Sequence, residues 1–273
     1  MENASFLKGE IILHWLALFL YIGAAACFIQ AVIFRKERSL LLGMTVIFAG
    51  LLPHTLALLV RWYYVYHGPY LSKYEVLSSN AWITLVMFLY FSRRYRKIRF
   101  SGMFVVPFAF FQVAAALFAS TAIKRFPASF KIPWLVAHIL FNKLAVGAFL
   151  IAIALMIAYA LRSRGSKLQS LARLPDNETL DEYIYKFTAF GFCFWTITIA
   201  AGAIWAHESW GRYWGWDPVE IWSLITWLLL GVYLHLRLFF GWKGKKGLAV
   251  LTVCYVVSIL TVFCSMVPVK VSH

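Results

Sequence analysis

The sequence predicts an all-α fold: a polytopic membrane helix bundle of about eight transmembrane helices, in a single transmembrane domain over residues 1–273. Three observations carry that reading. Hydrophobic residues make up 62% of the chain and charged residues only 14%, where a soluble domain would hold about 25% charged. The apolar residues come in runs of about 20, the length that crosses a hydrocarbon core of ~30 Å. Lysine and arginine collect in every second loop, as expected of a chain threaded back and forth through a bilayer. Spanning segments must satisfy their own backbone groups, which in such runs means helices.

The elements follow in order. The first run, residues 11–34, is too long for the apolar part of a signal peptide and lacks a basic segment before it, so no cleavable leader is expected. The second, 40–66, holds His54 and Arg61, seven residues apart and so on one helix face. The third, 76–92, is the shortest and starts on polar Ser78, Ser79 and Asn80. The fourth is 100–122, and the fifth, 134–161, carries His138 in its first turns and Lys143 beyond it. Residues 162–182 form the longest polar stretch, with room for only a short surface helix. Three spans remain, at 183–206, 219–240 and 248–269. His14 and His67 sit near the outer ends of their spans, which reads as an interfacial position. Cys27, Cys193, Cys254 and Cys264 all fall inside apolar runs, and no C-x-x-C or C-x-x-C-H motif occurs. Thiol redox chemistry and a covalent haem attachment site within this chain are therefore not expected.

The net charge of +15 would suggest nucleic acid as a partner of a soluble chain. Here it has a topological cause, and no nucleic-acid partner is expected. The loops after spans 1, 3, 5 and 7 carry 15 Lys and Arg, and the opposite loops and termini carry 7. The basic side faces the cytoplasm. That places both termini, and the segment between spans 6 and 7, on the outer side of the plasma (inner) membrane.

That outward segment, WGRYWGWDPVE, covers residues 210–220 and holds Trp210, Tyr213, Trp214 and Trp216 within seven residues. Tryptophan gathers at bilayer interfaces as an anchor belt, but this density exceeds what a belt needs. A cluster of indoles offers a flat platform for a large planar ligand such as a porphyrin. Asp217 before Pro218 reads as a helix cap followed by the favoured first residue of a helix. Glu220 in the first turn suits the helix dipole.

Imidazole is a standard axial ligand of haem iron. His138 and the last residue, His273, lie on the same side as the tryptophan segment. His235 lies 18 residues beyond Asp217, about 27 Å along a helix, near the inner end of span 7. An ionisable group inside a span is a functional candidate by default. Its neighbour Arg237 reads as a side chain snorkelling to the inner headgroups. Arg61 is a candidate partner for a ligand carboxylate or for Glu75 or Glu220, and Lys143 reads as snorkelling or as half of a buried pair. His207, at the mouth of the loop, could bond the loop or touch a ligand.

Several stretches resemble the CcsA/ResC branch of the haem-handling proteins of cytochrome c biogenesis. Trp205-Ala-His-Glu-Ser-Trp-Gly-Arg-Tyr-Trp-Gly-Trp-Asp-Pro218 is similar to that family's "WWD" segment, and continues through Trp227 to His235 and Arg237 as the family does. His54 to Arg61, then Gly68-Pro69 and Tyr74-Glu75, resembles its N-terminal block. Pro133-Trp134 followed by His138 resembles the region of its first outer histidine. The chain departs from the pattern in Val219, where the family usually has Lys, and in its Val-Ser-His end, where the family usually has Gly-Leu-His-Ser-Tyr.

The resemblance implies eight spans, an outer haem held by His138 and His273 against Trp210, Trp214, Trp216 and Asp217, and a haem within the membrane ligated by His235. It implies haem b as cargo, a CcsB/ResB-like membrane partner, and delivery to apocytochrome c on the outer face. On that reading the chain is a component of a cytochrome c synthase complex, with no independent catalytic motif of its own. The alternatives are a CcmC-type protein that loads haem onto a chaperone, and a membrane scaffold or transporter that binds no haem.

Overall fold

A computed structural model describes residues 2–34, 36–123, 132–163 and 174–266, with side chains between residues 8 and 260 of these. Eight α-helices lie among them: α1 (Glu2–Ile33), α2 (Glu37–Val65), α3 (Lys73–Arg94), α4 (Gly102–Phe118), α5 (Pro133–Ser163), α6 (Asn177–Trp210), α7 (Pro218–Phe239) and α8 (Gly244–Met266). A 3₁₀ turn, Arg96–Ser101, leads into α4. No strand occurs among the described residues. Each predicted span has its helix. Among the described residues, six segments are long and apolar enough to cross a membrane: α1 from Lys8, α2, α4 with its 3₁₀ turn, α5, α6 and α7. The chain is a multi-pass helical membrane protein.

The helices pair as antiparallel hairpins. α1 packs along α2, α3 along α4, α5 along α6 and α7 along α8. The α3–α4 pair joins the others, with α4 against α1 and α3 against α5 and α2, while α7 packs on α6. Small residues let these helices approach closely. A Cβ on Gly43 or Gly102 would come within 2.9 or 2.6 Å of the Phe28 ring, so Phe28, fully buried, wedges between α2 and α4. Leu52, Leu56 and Leu59 of α2 and Val253 and Val256 of α8 are exposed, as a lipid-facing perimeter requires.

Helix starts follow local chemistry. Ser72 and Glu75 form a reciprocal capping box at α3. Asp176 caps α6 by accepting from the Thr179 N–H at 2.7 Å. The Thr179 backbone N–H and hydroxyl hold the Asp176 carboxyl below its ordinary range. The expected short surface helix within 162–182 falls largely on residues 164–173, outside the described residues.

Two sequence expectations are corrected. His14 is fully buried rather than interfacial. α1 begins at Glu2, nine residues before the predicted span, so His14 lies about 18 Å along the helix. Its Nε2 meets the Ser78 hydroxyl at 2.7 Å. Arg237 does not snorkel: it is buried in an ion pair with Asp181 of α6. Asp181 also accepts from the Gly244 N–H at 3.0 Å, tying the α7–α8 turn to α6.

Candidate functional site

A cavity of about 860 Å³ opens at one end of the bundle, where the starts of α3, α5 and α7 meet the end of α6. That volume is within the range of small-molecule and cofactor pockets. Helical periodicity builds its walls. Lys73, Val76, Leu77 and Asn80 supply the α3 face; His138, Asn142 and Val146, with Ile139 and Lys143, supply the α5 face. α6 contributes Trp195, Thr198, Gly202, Trp205 and Trp210, and the loop into α7 adds Tyr213, Trp214 and Asp217. Two side-chain bonds hold α6 to α7 below the loop. Trp195 Nε1 donates to the Ser223 carbonyl at 3.2 Å, and Trp227 Nε1 to the Thr196 hydroxyl at 2.9 Å.

His138 is the wall's histidine. Its Nδ1 lies 2.8 Å from the carbonyl of Thr198. A carbonyl can only accept, so Nδ1 carries the proton and the lone pair rests on Nε2. This is the arrangement by which a backbone carbonyl orients an imidazole and raises its basicity as a ligand. Gly202 makes room for it: a Cβ there would sit 2.6 Å from His138 Nδ1. The Trp205 indole lies nearly parallel to the imidazole, 24° off at 6.4 Å, and meets Trp210 edge-on at 4.7 Å.

The loop over the cavity is pinned by the residues that start α7. Asp217 accepts from the Glu220 N–H at 2.9 Å, with Pro218 in the first turn. Glu220 reaches back to accept from the Gly215 N–H at 2.6 Å. His207 stacks on Tyr213 at 4.2 Å. Trp216 has φ 58°, a left-handed backbone that costs a bulky residue about 1–3 kcal/mol and tends to occur at functional sites. The Trp214 indole N–H is buried without a partner among the described residues.

Behind the α3 wall lies a polar network. Arg61 Nε donates to Glu75 at 2.9 Å and its terminal nitrogens reach the carbonyls of Thr121 and Ala122. The expected pairing of Arg61 is thus with Glu75. Glu75 also accepts from the N–H groups of Leu71 and Ser72 at 3.0 and 3.1 Å. The Ser78 hydroxyl bridges His14 and His54, and Tyr21 and Tyr74 bond the far nitrogens of those two rings. Tyr70, in the loop before α3, lines the cavity, and burial raises its phenol above the ordinary value.

The structure brings together His138, Trp210, Trp214 and Asp217 of the sequence candidates. Trp216 lies outside this lining, 69% exposed, edge-on to Trp214 at 6.0 Å. His235 is near the opposite end of α7, exposed on the bundle's outer face between Phe239 and Phe240. His273 lies outside the described residues. Trp205, Gly202, Asn80 and Lys143 belong to the cavity without having been picked for it. Trp205 carried a signal, since it opens the same tryptophan-rich stretch.

Taken together, fold and cavity define a multi-pass helical membrane protein with an aromatic, histidine-bearing pocket at one end of the bundle. The chain belongs to the cytochrome c assembly protein family, whose pattern matches residues 70–271. The cytochrome c biogenesis protein CcsA of Synechococcus sp. (strain CC9605) is 31% identical over 259 residues, covering 81% of this chain and 84% of that protein. CcsA of Chlamydomonas reinhardtii is 33% identical over 211 residues, 74% of this chain and 59% of that one. Among solved structures, cytochrome c heme lyase CcmF superposes with a TM-score of 0.73 at 18% identity. That match covers 95% of this chain and 46% of CcmF. At such identity the likeness shows the fold, and this chain spans about half the length of that protein.

Proposed function

We propose that this protein receives haem b as cargo and presents it on the outer face of the plasma membrane, together with a CcsB/ResB-like partner, for attachment to apocytochrome c. The observation that carries the reading is His138, held by the Thr198 carbonyl with Nε2 as its basic nitrogen, in the wall of an 860 Å³ cavity lined by Trp205, Trp210 and Trp214. An oriented imidazole beside large aromatic faces suits a planar metal macrocycle. Membership of the cytochrome c assembly family supports the same reading.

The chain's contribution is trapping rather than bond chemistry. His138 and His273 hold the iron from two sides, while the indoles cover the ring and Asp217 fixes the loop above it. Trp216 guards the mouth. His235 serves a separate intramembrane position, and its exposed setting on α7 suits a site completed by the partner. An incoming cytochrome histidine then replaces one outer ligand.

The test is a reporter cytochrome with one C-x-x-C-H site, expressed in cells lacking their own assembly proteins. Haem-stained reporter should appear only when this chain and its ResB-like partner are both present, and should fall at least about 10-fold with His138→Ala, the loss expected for an interaction worth about 1.4 kcal/mol or more. Equal reporter yield without this chain would overturn the proposal.

A further inference from the structure

The Lys143 amine lies in an unusual setting. It is 6% exposed, lies in the third turn of α5, and lines the cavity on the side formed by α3. Its Nζ donates to the Ser79 hydroxyl at 2.7 Å, to Asn80 Oδ1 at 3.0 Å and to the Val76 carbonyl at 3.4 Å. All three acceptors are neutral. Among the described residues no carboxylate comes within ion-pair distance of it.

The carboxylates around it are already committed. Glu75 is held by Arg61 and by the N–H groups of Leu71 and Ser72. Asp217 and Glu220, which also line the cavity, cap α7 and hold Gly215. A buried charge is costly unless paired, and inside a membrane protein such a group marks a substrate path or site. The longest of its three bonds, to Val76, is the one an incoming oxygen replaces at least cost. Lys73 adds a second positive charge on the α3 wall.

We infer that Lys143, with Asn80 beside it, forms a carboxylate-binding edge of the cavity, opposite in chemistry to the aromatic surface around Trp205 and Trp210. The inference rests on the tetrapyrrole reading above and deepens it. The macrocycle enters with a propionate toward α3 and α5, and Lys143 distinguishes a dicarboxylate porphyrin from a neutral one. No iron is needed for this contact, so it is separable from His138.

The experiment measures binding of two metal-free probes, mesoporphyrin and its dimethyl ester, to the full chain in nanodiscs of phosphatidylcholine. Quenching of tryptophan emission reports occupancy. The wild type should bind the diacid about 10-fold or more tighter than the diester, the scale of a hydrogen bond to a charged group. Lys143→Met should abolish that preference while leaving diester affinity unchanged, which also shows that the variant is folded. Lys143→Arg should retain most of it. A preference that persists unchanged in Lys143→Met overturns the inference. Equal wild-type affinity for the two probes overturns it too, yet leaves the tetrapyrrole reading standing. Absence of binding for both probes overturns the inference, and the haem reading then rests on the reporter assay alone.

Discussion

The Nδ1 of His138, on α5, bonds the backbone carbonyl of Thr198, on α6, across 2.8 Å. One hydrogen bond thereby sets which imidazole nitrogen is basic and ties the ring to the helix that carries Trp205 and Trp210. Gly202 permits it, four residues further along α6, because any Cβ there would meet Nδ1 at 2.6 Å.

Gly202→Ala should therefore act on the histidine first, because the added methyl would meet Nδ1 before anything else. The variant should keep its helix content and lose haem retention by at least several-fold, close to the effect of His138→Ala. Circular dichroism and the haem-to-protein ratio after purification check this. Full retention in Gly202→Ala would show that the ring has freedom the geometry does not suggest.

The Arg61–Glu75 pair should matter for stability far more than the surface pair of Lys186 with Glu182. Both partners of the first are buried, while those of the second are 44% and 58% exposed. Removing one member of a buried pair typically costs about 3–5 kcal/mol. Glu75→Ala should lower the thermal midpoint in detergent clearly, since it also deletes the capping box of α3. Glu182→Ala should leave the midpoint within error.

Asp217 has a local role that its neighbours make testable. Asp217→Ala removes the N-cap of α7 and should cost about 1 kcal/mol. Asp217→Asn keeps a capping oxygen and should cost little. Hydrogen exchange of the Glu220 amide should rise in the first variant and not in the second. Faster exchange in both would mean that the charge, rather than the cap, holds the loop.

The basic loops predict an orientation that labelling can test. In a cysteine-free background, Glu208→Cys at the end of α6 should react with a membrane-impermeant maleimide applied to intact cells. Lys97→Cys, between α3 and α4, should react only after the membrane is opened. The reverse pattern would invert the topology that the charge distribution predicts.

Much of the fold was legible because the bilayer imposes it. Runs of about 20 apolar residues gave all eight helices, even the polar third one, whose Ser78 and Ser79 turn inward to His54 and Lys143. His14 was misjudged since helix α1 extends beyond the apolar run that announced it. Asp217 could be read as a cap from the Asp-Pro pair alone. Thr198 could not, because it acts through a backbone carbonyl that every residue possesses. Gly202 was hidden, and Lys143, expected to snorkel or to pair with a charge, instead bonds neutral groups, for a related reason: their meaning depends on neighbours about 60 residues away, which only packing reveals. The Arg61–Glu75 pair was within reach, since opposite charges in adjacent spans have few other partners.

The most direct test of the central claim is the absorption spectrum of the detergent-purified protein, co-expressed with its ResB-like partner in haem-replete cells, for wild type, His138→Ala and His235→Ala. The account predicts a low-spin haem spectrum in the wild type that weakens in each variant, through loss of the outer site in one and of the intramembrane site in the other. A wild-type preparation with no Soret band would contradict it, and would leave the tryptophans of residues 205–216 as an interfacial belt.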